Sequence, residues 1–193
     1  MPVSLTPWES FYVITGSAGA ALTGLMFVVI ALAADRVDGS SMDGIGAFST
    51  PTVIHFSSVL IVAAVMAIPR HTLPSLSICI GLGGLAGAVA SIVAGRRMRR
   101  LQGYAAAHED WLWHIILPFV CYVILVGSAI ALPSATEGAL TLIGSAVLAL
   151  LVIGVHNAWD VAVYLAVFHR RQVAAVPAPT PPPPPAVEPP ETP

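Results

Sequence analysis

Charged residues are scarce in this chain. They make up 9% of the sequence, against roughly a quarter in soluble domains, so a water-facing surface cannot be covered and an ordinary soluble domain is excluded. Lysine is absent and the formal net charge is -2, which gives no basis for binding nucleic acid.

Cysteine is nearly absent too. Cys79 and Cys121 stand outside any C-x-x-C motif, and we expect both to be free thiols that pack in the interior.

The motifs of common enzyme classes are missing as well. The sequence contains no Walker pattern, no nucleophile elbow and no H-E-x-x-H zinc motif. The glycine-rich stretch Gly81–Gly84 is embedded in apolar sequence, so we do not expect it to bind phosphate. The sequence therefore indicates no enzymatic function, and no catalytic residue is predicted.

Apolar segments dominate the sequence instead, with 56% hydrophobic residues and a mean hydropathy of +0.85. A helix rises ~1.5 Å per residue, so the apolar segments are long enough to cross roughly 30 Å of hydrocarbon as helices. We predict an all-α integral membrane protein whose single domain, residues 1–171, is a five-transmembrane-helix bundle. Residues 172–193 are rich in proline, which lacks a backbone donor, so they predict a disordered cytoplasmic tail. The predicted spans are about 11–34, 51–68, 73–94, 111–132 and 139–168.

The arginines indicate an orientation in the membrane. Arg36 follows the first segment, 96–100 follows the third, and Arg170 and Arg171 follow the fifth, whereas only Arg70 falls on the other side. Short cytoplasmic loops collect basic residues. The pattern predicts an N-terminus outside and a C-terminus in the cytoplasm.

Small residues recur at helical spacing in two segments. Gly16, Ala20 and Gly24 are four residues apart in the first segment, and Gly83 and Gly87 form a G-x-x-x-G pair in the third. Close backbone approach at small residues holds membrane helices together. These residues predict helix-packing faces, either within one bundle or between the subunits of a homo-oligomer.

Polar residues inside the spans form one candidate site. Ionisable groups are costly in a bilayer, so each raises a functional question. His156 and Asp160 are four residues apart and share a helix face, and the fourth segment repeats that spacing in Asp110 and His114. The predicted topology places these residues, with His55 and Asn157, in the cytoplasmic half of the membrane. If the helices of the second, fourth and fifth segments adjoin, these side chains converge there in one pocket.

Three interpretations of this polar cluster stay open. Histidine beside carboxylate is typical of proton relays, and this reading favours an ion- or proton-conducting protein or an accessory subunit of a membrane complex. A second reading is a transition-metal site, or a haem held by paired histidines. A third is a structural scaffold, in which the histidines only hydrogen-bond between helices. The metal ligands would be His55, His114, His156 and Asp160.

Three stretches carry a resemblance to a known group of proteins. They are the opening segment FYxxxGxAxAALTGLxFV at Phe11–Val28, the stretch Pro51–Phe56, and HNAWD at His156–Asp160. This pattern resembles a group of small uncharacterised bacterial multi-pass inner-membrane proteins. The resemblance implies a location in the bacterial inner membrane, with the lipid bilayer as the surrounding medium, and no particular activity.

Overall fold

The computed structural model describes residues 5–34, 39–100 and 108–175. Five long helices make up this part of the chain. Within these residues there is no β-strand. Each helix contains a stretch long and apolar enough to cross a membrane, so the prediction of five membrane-spanning helices is confirmed at that level. The helices are α1 Glu9–Ala34, α2 Gly39–Ala67, α3 Leu73–Arg100, α4 His108–Ala131 and α5 Thr136–Ala175.

Several helices extend beyond the predicted spans. α2 begins well before the predicted start at residue 51 and so contains Pro51, although proline removes one backbone hydrogen bond from a helix interior. α3 and α5 continue past their apolar stretches, because arginine is a good helix former and nothing in the sequence stops them. Of the predicted tail, 176–193 lies outside the described residues, as does Arg36.

α4 is not a uniform helix. It starts as an α-helix at His108–Trp111, continues as a π turn at Leu112–Ile116, and becomes α-helical again at Leu117–Ala131. Pro118 lies directly after the π turn. Its missing N–H and its ring disfavour a regular α-helical turn before it, which accounts for the position of the irregularity. π turns of this kind are frequent at functional sites.

Neighbouring helices pack antiparallel, and glycines set their distance. A Cβ at Gly16 would lie 2.7 Å from the Cβ of Ala63, so α1 and α2 touch almost backbone to backbone. A Cβ at Gly87 would overlap the ring of Tyr122, which is fully buried between α3 and α4. These two predicted packing glycines therefore hold helices together within one chain.

The other predicted packing residues face away from neighbouring helices. Ala20 is exposed, and a Cβ at Gly24 or Gly83 would meet nothing within 4 Å. A stripe spaced strictly by four residues drifts around a helix of 3.6 residues per turn, so the contact moves to adjoining positions. Gly19 and Gly84 occupy those positions, against Phe56 and Tyr122 respectively.

The outer surface of the bundle is as apolar as its core. Ile130 is 77% exposed and Leu82 is 63% exposed, with many other large apolar side chains around the circumference. Soluble proteins do not present apolar surface all round. This surface is compatible with a multi-pass membrane protein whose solvent is lipid.

Candidate functional site

The candidate site lies where α2, α4 and α5 meet. α2 contributes Ser49, Thr52 and His55, which recur every three residues on one side of the helix and are all buried. Phe56 beside them packs on Gly154 of α5, where a Cβ would lie 2.5 Å from the ring. This close contact brings the polar side of α2 against α5.

His55 is part of a group that we call the histidine network, defined as His55, Ser58, His114 and Tyr122, in which hydrogen bonds join His55, Ser58 and Tyr122. The hydroxyl of Tyr122 lies 3.0 Å from His55 Nδ1 and 3.0 Å from Ser58 Oγ. Ser58 also donates to the carbonyl of Ile54 at 2.8 Å. His55 Nε2 is buried and has no hydrogen-bond partner among the described residues. The network thus ends in one ring nitrogen that is available to a water molecule or a proton.

His114 connects this network to one end of the bundle. Its ring is buried and lies close enough to His55 to interact with it electrostatically. It also interacts electrostatically with Asp110, Asp160 and His156, and the backbone of Asp110 lies beside it. His114 therefore interacts both with His55 of α2 and with the carboxylates of Asp110 in α4 and Asp160 in α5.

Asn157 compensates for a gap in the backbone bonding of α4. Pro118 has no N–H, and the N–H of Leu117 is bonded to the carbonyl of Leu112 across the π turn, so the carbonyl of Trp113 lacks a helical donor. Asn157 is fully buried and donates from Nδ2 to that carbonyl at 3.3 Å. Its Oδ1 has no hydrogen-bond partner among the residues described. Asn157 thus fixes α5 against the irregular turn of α4.

The last pair lies at the edge of the bundle. His156 stacks on Trp113 with ring centroids 3.9 Å apart and an angle of 5° between the planes. Its Nδ1 lies 3.3 Å from Asp160 Oδ2, and the two side chains are 38% and 46% exposed. The pair is accessible from outside the bundle, in contrast to His55 and His114.

The predicted polar residues are therefore brought together as two connected groups, and not as a single pocket. Three are buried between helices, and the other three lie towards the surface at the same end of the bundle, where Arg99 also lies over the Trp111 ring at 5.1 Å. The buried residues are His55, His114 and Asn157, and the peripheral ones are Asp110, His156 and Asp160.

A metal site would need a tighter arrangement. In 5–34, 39–100 and 108–175, no three His, Cys, Asp or Glu side chains are grouped as a metal ion would require. The predicted ligand set of His55, His114, His156 and Asp160 has no support from this geometry and stays a prediction. Cys79 and Cys121 are both free thiols, as expected.

The sequence analysis missed the centre of the network. Tyr122 and Ser58 are ordinary in an apolar run, and nothing in their spacing points to His55. One signal was available. Gly87, predicted as a packing residue, leaves the space that the Tyr122 ring fills, so a facing aromatic side chain was to be expected at the same depth.

Comparison of the chain with protein-family models, with curated proteins and with solved structures gave no match. The resemblance carried by the opening helix and by HNAWD stays a prediction.

Proposed function

We propose that this protein is a proton-conducting membrane protein, or the proton-conducting subunit of a membrane complex, in which the histidine network forms half of the pathway. The observation that carries the proposal is the buried pair His55 and His114 on adjoining helices, linked electrostatically to the accessible His156–Asp160 pair. Histidine is the side chain whose ordinary titration lies nearest neutral pH, and buried histidine–carboxylate chains are typical of proton pathways.

The network supplies a route into the bundle from one end. Protons would enter at His156 and Asp160, pass to His114 and reach His55, whose hydrogen bond to the hydroxyl of Tyr122 continues the chain. His114 and Tyr122 are eight residues apart, which corresponds to ~12 Å along the helix axis. The polar route therefore ends near the middle of α4.

An apolar layer follows the network. Val59, Val62, Leu76 and Leu125 are buried around the next turns and carry no polar atom that could pass on a proton. Hydrophobic constrictions of this kind gate by excluding water. We propose that conduction occurs when this layer becomes hydrated, so the protein at rest is closed.

The pathway is proposed to open to the cytoplasm. The contacts of Gly95 with Trp111 and Ile115 place the arginine-rich end of α3 beside the start of α4, so the basic residues and the His156–Asp160 pair share one end of the bundle. Basic residues collect on the cytoplasmic side. This orientation, the bacterial inner membrane and assembly into an oligomer or a larger complex are parts of the same proposal.

The proposal is tested by proton flux into liposomes that contain the purified full-length chain and an internal pH-sensitive dye. A potassium diffusion potential drives the flux. We expect the wild type to conduct above empty liposomes and His114→Gln to lower the rate by about tenfold or more, which corresponds to about 1.4 kcal/mol on the barrier. His108→Gln is the matched control, because His108 is an exposed histidine of the same helix outside the network. Equal flux in empty and protein-containing liposomes, or equal effects of the two substitutions, would refute the proposal.

A further inference from the structure

A second constellation of polar groups lies at the opposite end of the bundle from the histidine network. A cleft of about 620 Å³ opens between the start of α1, the end of α2 and the turn that leads into α3. Its volume is within the range of small-ligand sites, roughly 300 to 1,000 Å³. Six of the side chains that line it are polar, and the four ionisable ones among them are Glu9, Tyr12, Arg70 and His71.

Two of these side chains are buried with unused hydrogen-bonding atoms. Tyr12 is 3% exposed and His71 is 8% exposed, and neither the Tyr12 hydroxyl nor His71 Nε2 has a partner among the described residues. The other ring nitrogen of His71 lies 3.2 Å from Ser75 Oγ, which fixes the orientation of the ring. A buried polar atom without a partner is costly, so both atoms call for a ligand.

The other two side chains carry opposite charges. Glu9 and Arg70 are exposed to the cleft, and no ion pair joins either of them to another residue in the part of the chain that the structure describes. Arg70 also has a φ of 61°, a left-handed conformation that non-glycine residues seldom adopt. One cleft is thus lined by a guanidinium and a carboxylate that form no ion pair, which suits a ligand that carries both charges.

The depth of the cleft indicates where that ligand comes from. The apolar stretch that includes α1 begins at Thr6, that of α2 ends at Ala67 and that of α3 begins at Leu73. Glu9, Arg70 and His71 therefore lie within about one turn of the ends of these stretches, near the level of lipid headgroups. The lining continues with Val13, one turn beyond Glu9, and with Leu60, seven residues before the end of the α2 stretch, and both side chains are exposed on the outside of the bundle. A polar head followed by an apolar wall matches a lipid molecule better than a soluble zwitterion.

We propose that this cleft binds a zwitterionic phospholipid with a primary ammonium group, its phosphate at Arg70 and His71 and its ammonium at Glu9. The Tyr12 hydroxyl donates to an oxygen of the same headgroup. A guanidinium pairs well with phosphate. The carboxylate of Glu9 accepts hydrogen bonds from an ammonium but receives none from a choline headgroup, which has no N–H to donate.

Native mass spectrometry of the purified full-length chain in detergent micelles tests this site. Phosphatidylethanolamine, phosphatidylcholine and phosphatidylglycerol with identical acyl chains are added in turn. We expect the ethanolamine lipid to be retained preferentially, and Glu9→Gln to reduce its preference over phosphatidylglycerol by about tenfold, as the loss of one charge-assisted hydrogen bond implies. Arg70→Gln should weaken all three lipids.

Glu137→Gln is the matched control, because Glu137 is an exposed carboxylate at the same end of the bundle that does not line the cleft. If it changes the lipid preference as much as Glu9→Gln does, the proposed site is wrong. Free phosphoethanolamine is added as a competitor in a separate arm. Displacement of the lipid by an equal concentration of the free headgroup would overturn the assignment to a lipid. The Tyr12→Phe variant, which keeps the ring, should lower retention if the hydroxyl takes part.

Discussion

Asn157→Leu removes the amide that donates to the carbonyl of Trp113. In the native chain this amide replaces the donor that Pro118 lacks, so its loss leaves a buried carbonyl without a partner. An orphaned buried acceptor costs about 1 to 3 kcal/mol, whereas interhelical hydrogen bonds in a membrane average about 0.6 kcal/mol. The bond is long at 3.3 Å, and leucine also removes an Oδ1 that has no partner. We therefore expect a destabilisation of about 1 kcal/mol.

The same argument predicts that Pro118→Ala removes this penalty. Alanine restores the N–H, so the segment before it can close as an ordinary α-helix in which the carbonyl of Trp113 is bonded to the N–H of Leu117. In that background Asn157→Leu should cost almost nothing. The two substitutions should therefore couple by about 1 kcal/mol in a double-mutant cycle.

Reversible unfolding in lipid bicelles measures the four free energies of this cycle. Pro133→Ala, in the exposed turn between α4 and α5, provides a second background in which Asn157→Leu should keep its full cost. Additivity of the Asn157 and Pro118 substitutions to within about 0.3 to 0.5 kcal/mol would show that the amide does not compensate for the proline.

Three further predictions concern the packing and the hydrogen bonds of the site. Gly87→Ala forces its Cβ into the ring of Tyr122 and should destabilise the bundle by about 1 to 3 kcal/mol, whereas Gly83→Ala, which meets open space, should be neutral in the same unfolding measurement. Tyr122→Phe removes the hydroxyl that the buried His55 and the partly buried Ser58 share, and it should cost about 1 kcal/mol or more; unchanged stability would contradict the hydrogen bonds. His156 stacks on the Trp113 ring, so in a variant with Trp113 as its only tryptophan His156→Ala should increase quenching of the fluorescence by acrylamide, and His108→Ala should leave the quenching unchanged.

The length and composition of the apolar segments are enough to predict the five helices, because a bilayer leaves few alternatives to a helix for such a segment. Their ends are less predictable. Arg100 and Ala175 continue helices beyond the apolar stretch, since side-chain charge marks the membrane boundary and does not end a helix. Pro51 shows the converse case, because a proline that favours a helix start lies inside α2.

For the site, the sequence identifies costly side chains but not their partners. His55, His114 and Asn157 stand out because few polar groups of this kind enter a span. Their contacts depend on the rotation of each helix, and the π turn in α4 shifts the faces on either side of it relative to a regular 3.6-residue repeat. Trp113 illustrates the result. It stacks on His156 and offers its carbonyl to Asn157, and neither contact follows from its position in the sequence.

The polar side of α2 has a consequence for how the protein is made. Its span is the least apolar of the five, and Thr52 and His55 are covered by helices that the ribosome synthesises later. When α2 leaves the translocon, only α1 is present to pack against it, through Gly16 and Gly19. Polar side chains are costly in lipid while they have no hydrogen-bond partner. We therefore expect the nascent α1–α2 hairpin to stay beside the insertion machinery until α4 and α5 complete the bundle.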